Sequence, residues 1–448
     1  MGVIKPRIGV LAVGRSTFDV EFAKDVFEKA WAGLESLPVE LVGEKSLYFE
    51  SEPALAGYEA LKGADIDLLL ILQVTFTDSS VCAAIAKSLD VPLVLWTFSE
   101  TRTGGRLRLN SFCGVNLASH TLTRLGKSLD NVHGAPDSVV CLKRILELAR
   151  AAAVVSKLSE AKILVVGDHP VGFDACNFEK RELKSRFGVD SVGMPITEFI
   201  ESVKALPDEV ADAPYERRAK DFPNLGTMDP VATRKSLKVY AALSDLSRKE
   251  SFDGVAVRCW PEFFTQYGCA ACGAIALLNE DRIPGGCEAD MYGVVSSLIL
   301  QWSSGLGVFN SDLVDIDPES DTMVFWHCGQ APIEMADPDS QPEATIHSNR
   351  KLPLLSQFPL KPGRITLCRI TQGKGKLRMM LASGEMLKAP LAYSGTSGVA
   401  RLDIHAEEFR QRLLDEGMEH HCSLTYGDHR PVLRQIAKYL QLELVELT

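Results

Sequence analysis

The chain lacks the short signatures of several common chemistries. It has no Walker sequence and no GxSxG elbow, and the two runs that open like nucleotide-binding strands end AVGRST and VVGDHPVG rather than GxGxxG. Without those glycines a pyrophosphate cannot approach a helix N-terminus closely. Long apolar stretches are missing too: the longest, such as 68–72, have the length of strands, far short of the roughly 20 residues that cross a bilayer. The start, MGVIKPRIGVLAVG, runs directly into a strand without a cleavable signal pattern, and Pro6 stands where a myristoylation motif has Ser or Thr. No N-x-Ser/Thr sequon occurs, and the 11 cysteines lie singly among apolar neighbours, as at Cys82, Cys141 and Cys368. This is not the spacing of a disulfide framework, so the expectation is a cytoplasmic protein with reduced thiols. Basic excess is absent as well. Lys and Arg total 48 against 59 Asp and Glu, a net charge of −11, which argues against nucleic acid as a partner.

What is present is ordinary globular material, 46% hydrophobic and 24% charged, in a chain of 448 residues. That length predicts two or three domains. Residues 6–14, 39–42, 65–73 and 91–98 are apolar runs, and 21–37 has helical spacing. Such alternation means a parallel sheet covered on both faces. After a predicted helix at 138–158 the pattern restarts with KILVVG at 162–167, continues at 187–194 and reaches FDGVAVRC at 252–259. Residues 206–229 read as a surface loop with short helices. From about 338 the texture changes to a linker-like stretch, then closely spaced strands with GKGK as a turn, a helix near 431–440 and a last strand. The expected fold class is α/β: two doubly wound Rossmann-like domains, 1–158 and 159–337, followed by an antiparallel, barrel-like β-rich domain, 338–448.

Several candidates have two readings. Cys269 and Cys272 form a lone CxxC, either a zinc half-site with Cys259 and Cys287 or a buried helix start in GCAACGAIALL. Trp260 and Glu262 close the strand FDGVAVRC, where open α/β sheets place ligands; a turn beside a helix start is the other reading. In GDHPVGFDAC and in NSFCGVNLAS with the residues before it, His169, Asn110 and Arg108 read either as groups for sugar hydroxyls or an anionic substituent, or as surface loops at subunit contacts.

The strongest constellation begins at GGCEADMYG, 285–293, directly before the apolar run VVSSLIL. Glu288 occupies a loop-to-helix junction, where a carboxylate also favours the helix dipole with no further role. Asp312 follows GVFN at the edge of a strand, His327 ends MVFWHCG, and His420 and His421 lie in MEHHCSLTYG. Carboxylates with imidazoles form a hard-to-borderline donor set that suits Mn²⁺, Mg²⁺, Co²⁺ or Fe²⁺ better than structural zinc. Histidines near strand ends are otherwise structural hydrogen-bonders.

Taken in order, GGCEADMYGVVSSLILQWSSG, FNSD, FWHCGQAP and MEHHCSLTYGDHRPVLRQIAKYLQLELVEL resemble the L-fucose/L-arabinose isomerase superfamily, closest to its shorter fucose-isomerase-related branch, which RCWPEF also fits. The resemblance covers the middle and C-terminal parts, and the first part only by architecture. It implies a metal-dependent aldose–ketose isomerase of carbohydrate metabolism, with manganese as cofactor and Co²⁺ or Mg²⁺ as substitutes. Glu288 and Asp312 would bind the ion and flank the sugar carbons, His421 would ligate, and His420, the other histidine of that motif, would contact the substrate. His327 matches a further ligand of arabinose isomerases that fucose isomerases do without. The glycines 285 and 286 would let the chain pass close to the bound sugar, leaving Asp290 to favour the helix start. The resemblance also implies a homo-oligomer, trimer or hexamer, with sites completed by a neighbour's first domain. A noncatalytic sugar-binding protein on the same scaffold, or a metal-dependent sugar lyase, are the alternatives.

Overall fold

The apolar runs of the first third become parallel strands because helices cover both faces and neither face has to be polar. The computed structural model describes residues 4–448. Its first unit, residues 4–156, contains β1 (Arg7–Val13), β2 (Glu40–Val42), β3 (Leu47–Tyr48), β4 (Leu68–Gln73), β5 (Leu93–Phe98) and β6 (Asp130–Gly134). They pair in parallel in the order β2-β1-β4-β5-β6, with β3 also on β1. Every residue of β4 and β5 is buried. The helix Val20–Glu35 follows from its spacing: Ala23, Val26, Phe27, Ala30, Trp31 and Leu34 recur every three or four residues and form the buried stripe. Asp19 caps it by accepting from the Phe22 backbone N–H.

The second unit, residues 157–448, holds two sheets. The smaller comprises β7 (Lys162–Val166), β8 (Asp190–Met194), β9 (Gly254–Val257) and β10 (Gly285–Gly286), all parallel in the order β10-β9-β7-β8. The larger has nine strands: β11 (Phe309–Asp317), β12 (Thr322–His327), β13 (Glu343–Thr345), β14 (Leu355–Pro359), β15 (Gly363–Thr371), β16 (Arg378–Met386), β17 (Thr396–Leu402), β18 (His421–Tyr426) and β19 (Glu443–Glu446). It therefore begins at Phe309, ahead of the linker-like stretch 338–349. The order is β13-β14-β17-β12-β11-β18-β15-β16-β19, and β16 also pairs with β17, so the antiparallel path β17-β12-β11-β18-β15-β16 returns to its start. The sheet is mixed rather than wholly antiparallel as expected. β14 joins β17, and β19 joins β16, in parallel; β19 returns through the helix Arg430–Tyr439, and a parallel partner needs such a crossover.

The helix Met291–Ser304 is apolar on all sides because it packs against β9 on one side and against β15 and β18 on the other. Every residue from Met291 to Ser303 is buried. Gly305, left-handed at φ 73°, ends it. The tight fit also explains the glycines before it. A Cβ on Gly285 would lie 2.8 Å from Ile275 Cγ2, and one on Gly286 would lie 2.7 Å from Val294 Cγ2. Packing alone therefore requires glycine at both positions.

The expectation of reduced thiols throughout also needs correction, since Cys259 and Cys287 form a disulfide. The reason is topological: β9 and β10 are parallel neighbours, so the residues just beyond their ends meet, with a Cα–Cα separation of 5.7 Å. Cys269 and Cys272 are free and packed in apolar clusters. Among the described residues, no helix is long and apolar enough to cross a membrane.

Candidate active site

β11 lies between β12 and β18, and that placement assembles one side of the site. Asp312 is directly opposite His421 on β18 and Trp326 on β12. Residues opposite one another share a face of the sheet, so His421 and Asp312 meet: Nε2 and Oδ1 are 3.2 Å apart. His327, the last residue of β12, brings its ring centroid to 5.6 Å from that of His421. Asp312, His327 and His421 offer ligand atoms within 4.8 Å of one another.

The other side is made of loops. After β10 the chain enters a turn in which Glu288 (φ 58°) and Ala289 (φ 55°) are both left-handed. Such a conformation costs a non-glycine residue on the order of 1–3 kcal/mol and persists where the surroundings enforce it. The turn aims the Glu288 side chain back over the helix start. Its Oε1 accepts from Trp260 Nε1 at 3.2 Å, and its Oε2 lies 3.1 Å from His420 Nε2, 3.9 Å from His421 Nε2 and 3.9 Å from Cys176 Sγ. Phe173 packs edge-on against Trp260 (5.3 Å) and His420 (6.0 Å), forming an aromatic wall. Cys176, Glu288, His420 and His421 form the second group whose ligand atoms lie within 4.8 Å. His421 and the space around its Nε2 are common to both groups.

Asp290 does more than favour a helix start. Its Oδ1 accepts from Gly293 N at 2.9 Å, and its Oδ2 accepts from His421 Nδ1 at 2.9 Å. Both oxygens also take the guanidinium of Arg369, from β15, in a pair that is 1% exposed on each side. A Cβ on Gly293 would lie 2.3 Å from Asp290 Oδ2, so glycine is what leaves room for this carboxylate. Glu419 lies 3.7 Å from Arg369 Nε.

The electrostatics follow from this packing. Burial opposes charge on every member. Even so, Arg369 and His421 hold the Asp290 carboxyl far below its usual range. Burial would raise Asp312, yet His327 and His421 bring it down to about 2. Glu288 is also lowered against burial, by His420, His421 and Trp260. Burial would lower His421, but its contacts with Asp290, Asp312 and Cys176 raise it well above the ordinary imidazole value. His327 is raised by Asp312 and Cys328 despite full burial.

The remaining expected residues have other partners. Glu262 pairs with Arg258 at 2.8 Å, and Arg258 also donates to the carbonyls of Asp168 and His169 at 3.2 Å each. They adjoin a cavity of about 660 Å³ whose lining includes neither Glu288, Asp312 nor His421. Asn110 belongs to the first unit, left-handed at φ 50°, and its backbone N–H donates to Glu100. Arg108 there pairs with Asp19. Sequence reasoning missed Arg369, Cys176 and Phe173. An arginine in the otherwise apolar run LCRIT was the one signal available for Arg369.

The donor set can be tested against a divalent ion. Asp312 Oδ1 is a buried carboxylate oxygen without a hydrogen bond, despite its 3.2 Å approach to His421. His421 presents Nε2 to the carboxylates while Nδ1 is fixed by Asp290, the arrangement typical of ligating histidines. Oxygen and imidazole donors around an unsatisfied carboxylate fit a hard-to-borderline cation.

Comparison with known proteins places the chain among sugar isomerases. Residues 9–159 match the family model of the fucose/sulfoquinovose isomerase N-terminal domain, and residues 325–448 match that of the L-fucose isomerase C-terminal domain. A sulfoquinovose isomerase of Priestia aryabhattai is 32% identical over 436 residues, 96% of this chain and 97% of that protein. One from Clostridium sp. is 30% identical over 444 residues, 98% of each chain. One from Alkalicoccus urumqiensis is 29% identical over 382 residues, 85% of this chain and 86% of that protein.

Proposed function

The chain belongs to the fucose/sulfoquinovose isomerase family and is a sugar isomerase, an intramolecular oxidoreductase, and we propose that it interconverts a sulfonated aldose with its ketose through an enediol at the site around His421. The observation that carries the site assignment is His421 itself, with Nδ1 held by Asp290 and Nε2 between Glu288 and Asp312. We assign the ion to Glu288, Asp312 and His421, with Mn²⁺ as its identity. When bound, such an ion supplies Lewis-acid polarisation to two neighbouring sugar oxygens.

The chain's own groups then have separate tasks. Glu288 and Asp312, both held ionised, divide the proton transfers: one takes the C2 proton and returns it to C1 as its conjugate acid, while the other takes the O2 hydroxyl proton and delivers it to O1. Each such positioned group is worth ~10²–10⁴ in rate. Trp260 Nε1 and His420 Nε2 hold the two Glu288 oxygens in place. Phe173, Trp260 and His420 keep water from one side of the sugar. His327 is a hydrogen-bond donor in this reading rather than a ligand. Its Nδ1 accepts from the Cys328 backbone N–H at 2.8 Å, so the neutral ring carries its proton on Nε2.

The sulfonated substrate rests on the relatives' names. A cation near the site fits it: the Arg350 guanidinium lies over Trp260 (4.8 Å) and Phe264 (5.1 Å), and no carboxylate among the described residues pairs with it. The working assembly in this reading is a trimer or hexamer. The test is incubation of the purified protein and Mn²⁺ with sulfoquinovose and with unsubstituted aldoses. The expected product is a ketose of unchanged mass, formed fastest from the sulfonated sugar, and lost in a folded Glu288→Gln protein. A product of lower mass, or a Glu288→Gln protein with near-normal turnover, would overturn the assignment.

A further inference from the structure

The loop after β7 carries a thiol to the side of Glu288 that faces away from the strands. Cys176 ends the short turn Asp174–Cys176 and is buried. Its Sγ is 3.9 Å from Glu288 Oε2 and within 4.8 Å of a His421 ring nitrogen. The same oxygen faces His420 Nε2 and His421 Nε2, so one carboxylate oxygen is the hub of three further donors. All four donor atoms lie within 4.8 Å of one another. Tetrahedral sites with bonds of about 2.0–2.3 Å have donors about 3.3–3.8 Å apart, so small side-chain shifts close the set. A thiolate, a carboxylate and two imidazoles make a softer set than two carboxylates and an imidazole.

We propose that Cys176, Glu288, His420 and His421 form a tetrahedral position for a borderline-soft divalent cation such as Zn²⁺, alternative to the ion position that includes Asp312. On binding, the Cys176 thiol proton passes to water as the sulfur–metal bond forms. Glu288 and His421 belong to both positions, so one occupant excludes the other. Zinc there also takes Glu288 out of proton transfer. The position rests on geometry alone; only this effect on turnover rests on the isomerase reading above.

The test uses the full chain stripped of metal and titrated with Co²⁺, a spectroscopic stand-in for Zn²⁺. The expected spectrum has a near-ultraviolet thiolate-to-cobalt charge-transfer band, bleached by one equivalent of Zn²⁺. The Cys176→Ser protein should lack the band, and His420→Gln should keep it while binding Co²⁺ at least tenfold more weakly. A wild-type spectrum without the band, or a band that persists in Cys176→Ser, would overturn the site. A second readout is the electron paramagnetic signal of free Mn²⁺. Added Zn²⁺ should release bound Mn²⁺ from the wild type, and retention of Mn²⁺ beside bound Zn²⁺ would overturn the shared-ligand geometry. None of these readouts requires turnover, so they stand or fall separately from the isomerase assignment.

Discussion

The two sides of His421 are built from different material. Asp312 and His327 come from adjacent strands: pairing in the sheet sets Asp312 opposite His421, and His327 ends its strand paired with Thr396. Glu288, Trp260, His420 and Cys176 come from turns and loop ends, and the His420 side chain is 39% exposed. The strand side is therefore a fixed wall, and the loop side is where a group can shift as a proton moves or an ion changes. Between them stands a buried ion pair, Arg369 with Asp290, which orients the shared histidine.

That contrast can be broken or sharpened by substitution. The largest effects are expected for Asp312→Asn and Glu288→Gln, each losing ~10²–10⁴ in kcat with the fold intact by circular dichroism. Next is Arg369→Met, which strands the Asp290 carboxylate in the core. Removing one partner of a buried pair costs about 3–5 kcal/mol, read as a fall in denaturation midpoint. Asp290→Asn keeps the shape but weakens the hold on His421. Ion affinity by calorimetry should fall ~10–100-fold, the range for losing the partner of a ligating histidine. His327→Gln tests the strand side directly: ion affinity should be unchanged, because the assigned tautomer donates rather than ligates. A loss equal to that of His421→Gln would return His327 to the ligand set. The smallest of the expected losses is that of Arg350→Ala, about tenfold in kcat/KM, or about 1.4 kcal/mol. It should be confined to sulfonated sugars; equal losses on unsubstituted sugars would remove Arg350 from substrate recognition.

The sequence made the parallel sheets legible where their strands are unbroken apolar runs, β4 and β5 above all, and not at β6, which reads DNVHG. It was less clear at the large sheet, whose parallel edge strands β14 and β19 carry no mark of orientation. In the site, Glu288, Asp312 and His421 could be singled out by position beside glycines, strand ends and an apolar helix. Asp290 could be seen only as a cap, since its partners Arg369 and His421 are 79 and 131 residues away. Glu262 also stands near a strand end, and there an arginine four residues before it takes the carboxylate.

By itself, the sequence determined most element types, the net acidic composition, and a short set of carboxylates and imidazoles of the donor kind a divalent ion takes. Local spacing and residue chemistry suffice for these. Only the tertiary structure decided that Cys259 meets Cys287, that the paired glycines serve helix packing, and that Cys176 joins Glu288. It also decided which ring nitrogen is engaged in the two histidines on either side of β11, Nδ1 donating to a carboxylate in His421 and accepting from a backbone N–H in His327. Such partners are set by contacts between distant segments, which no local pattern of residues encodes.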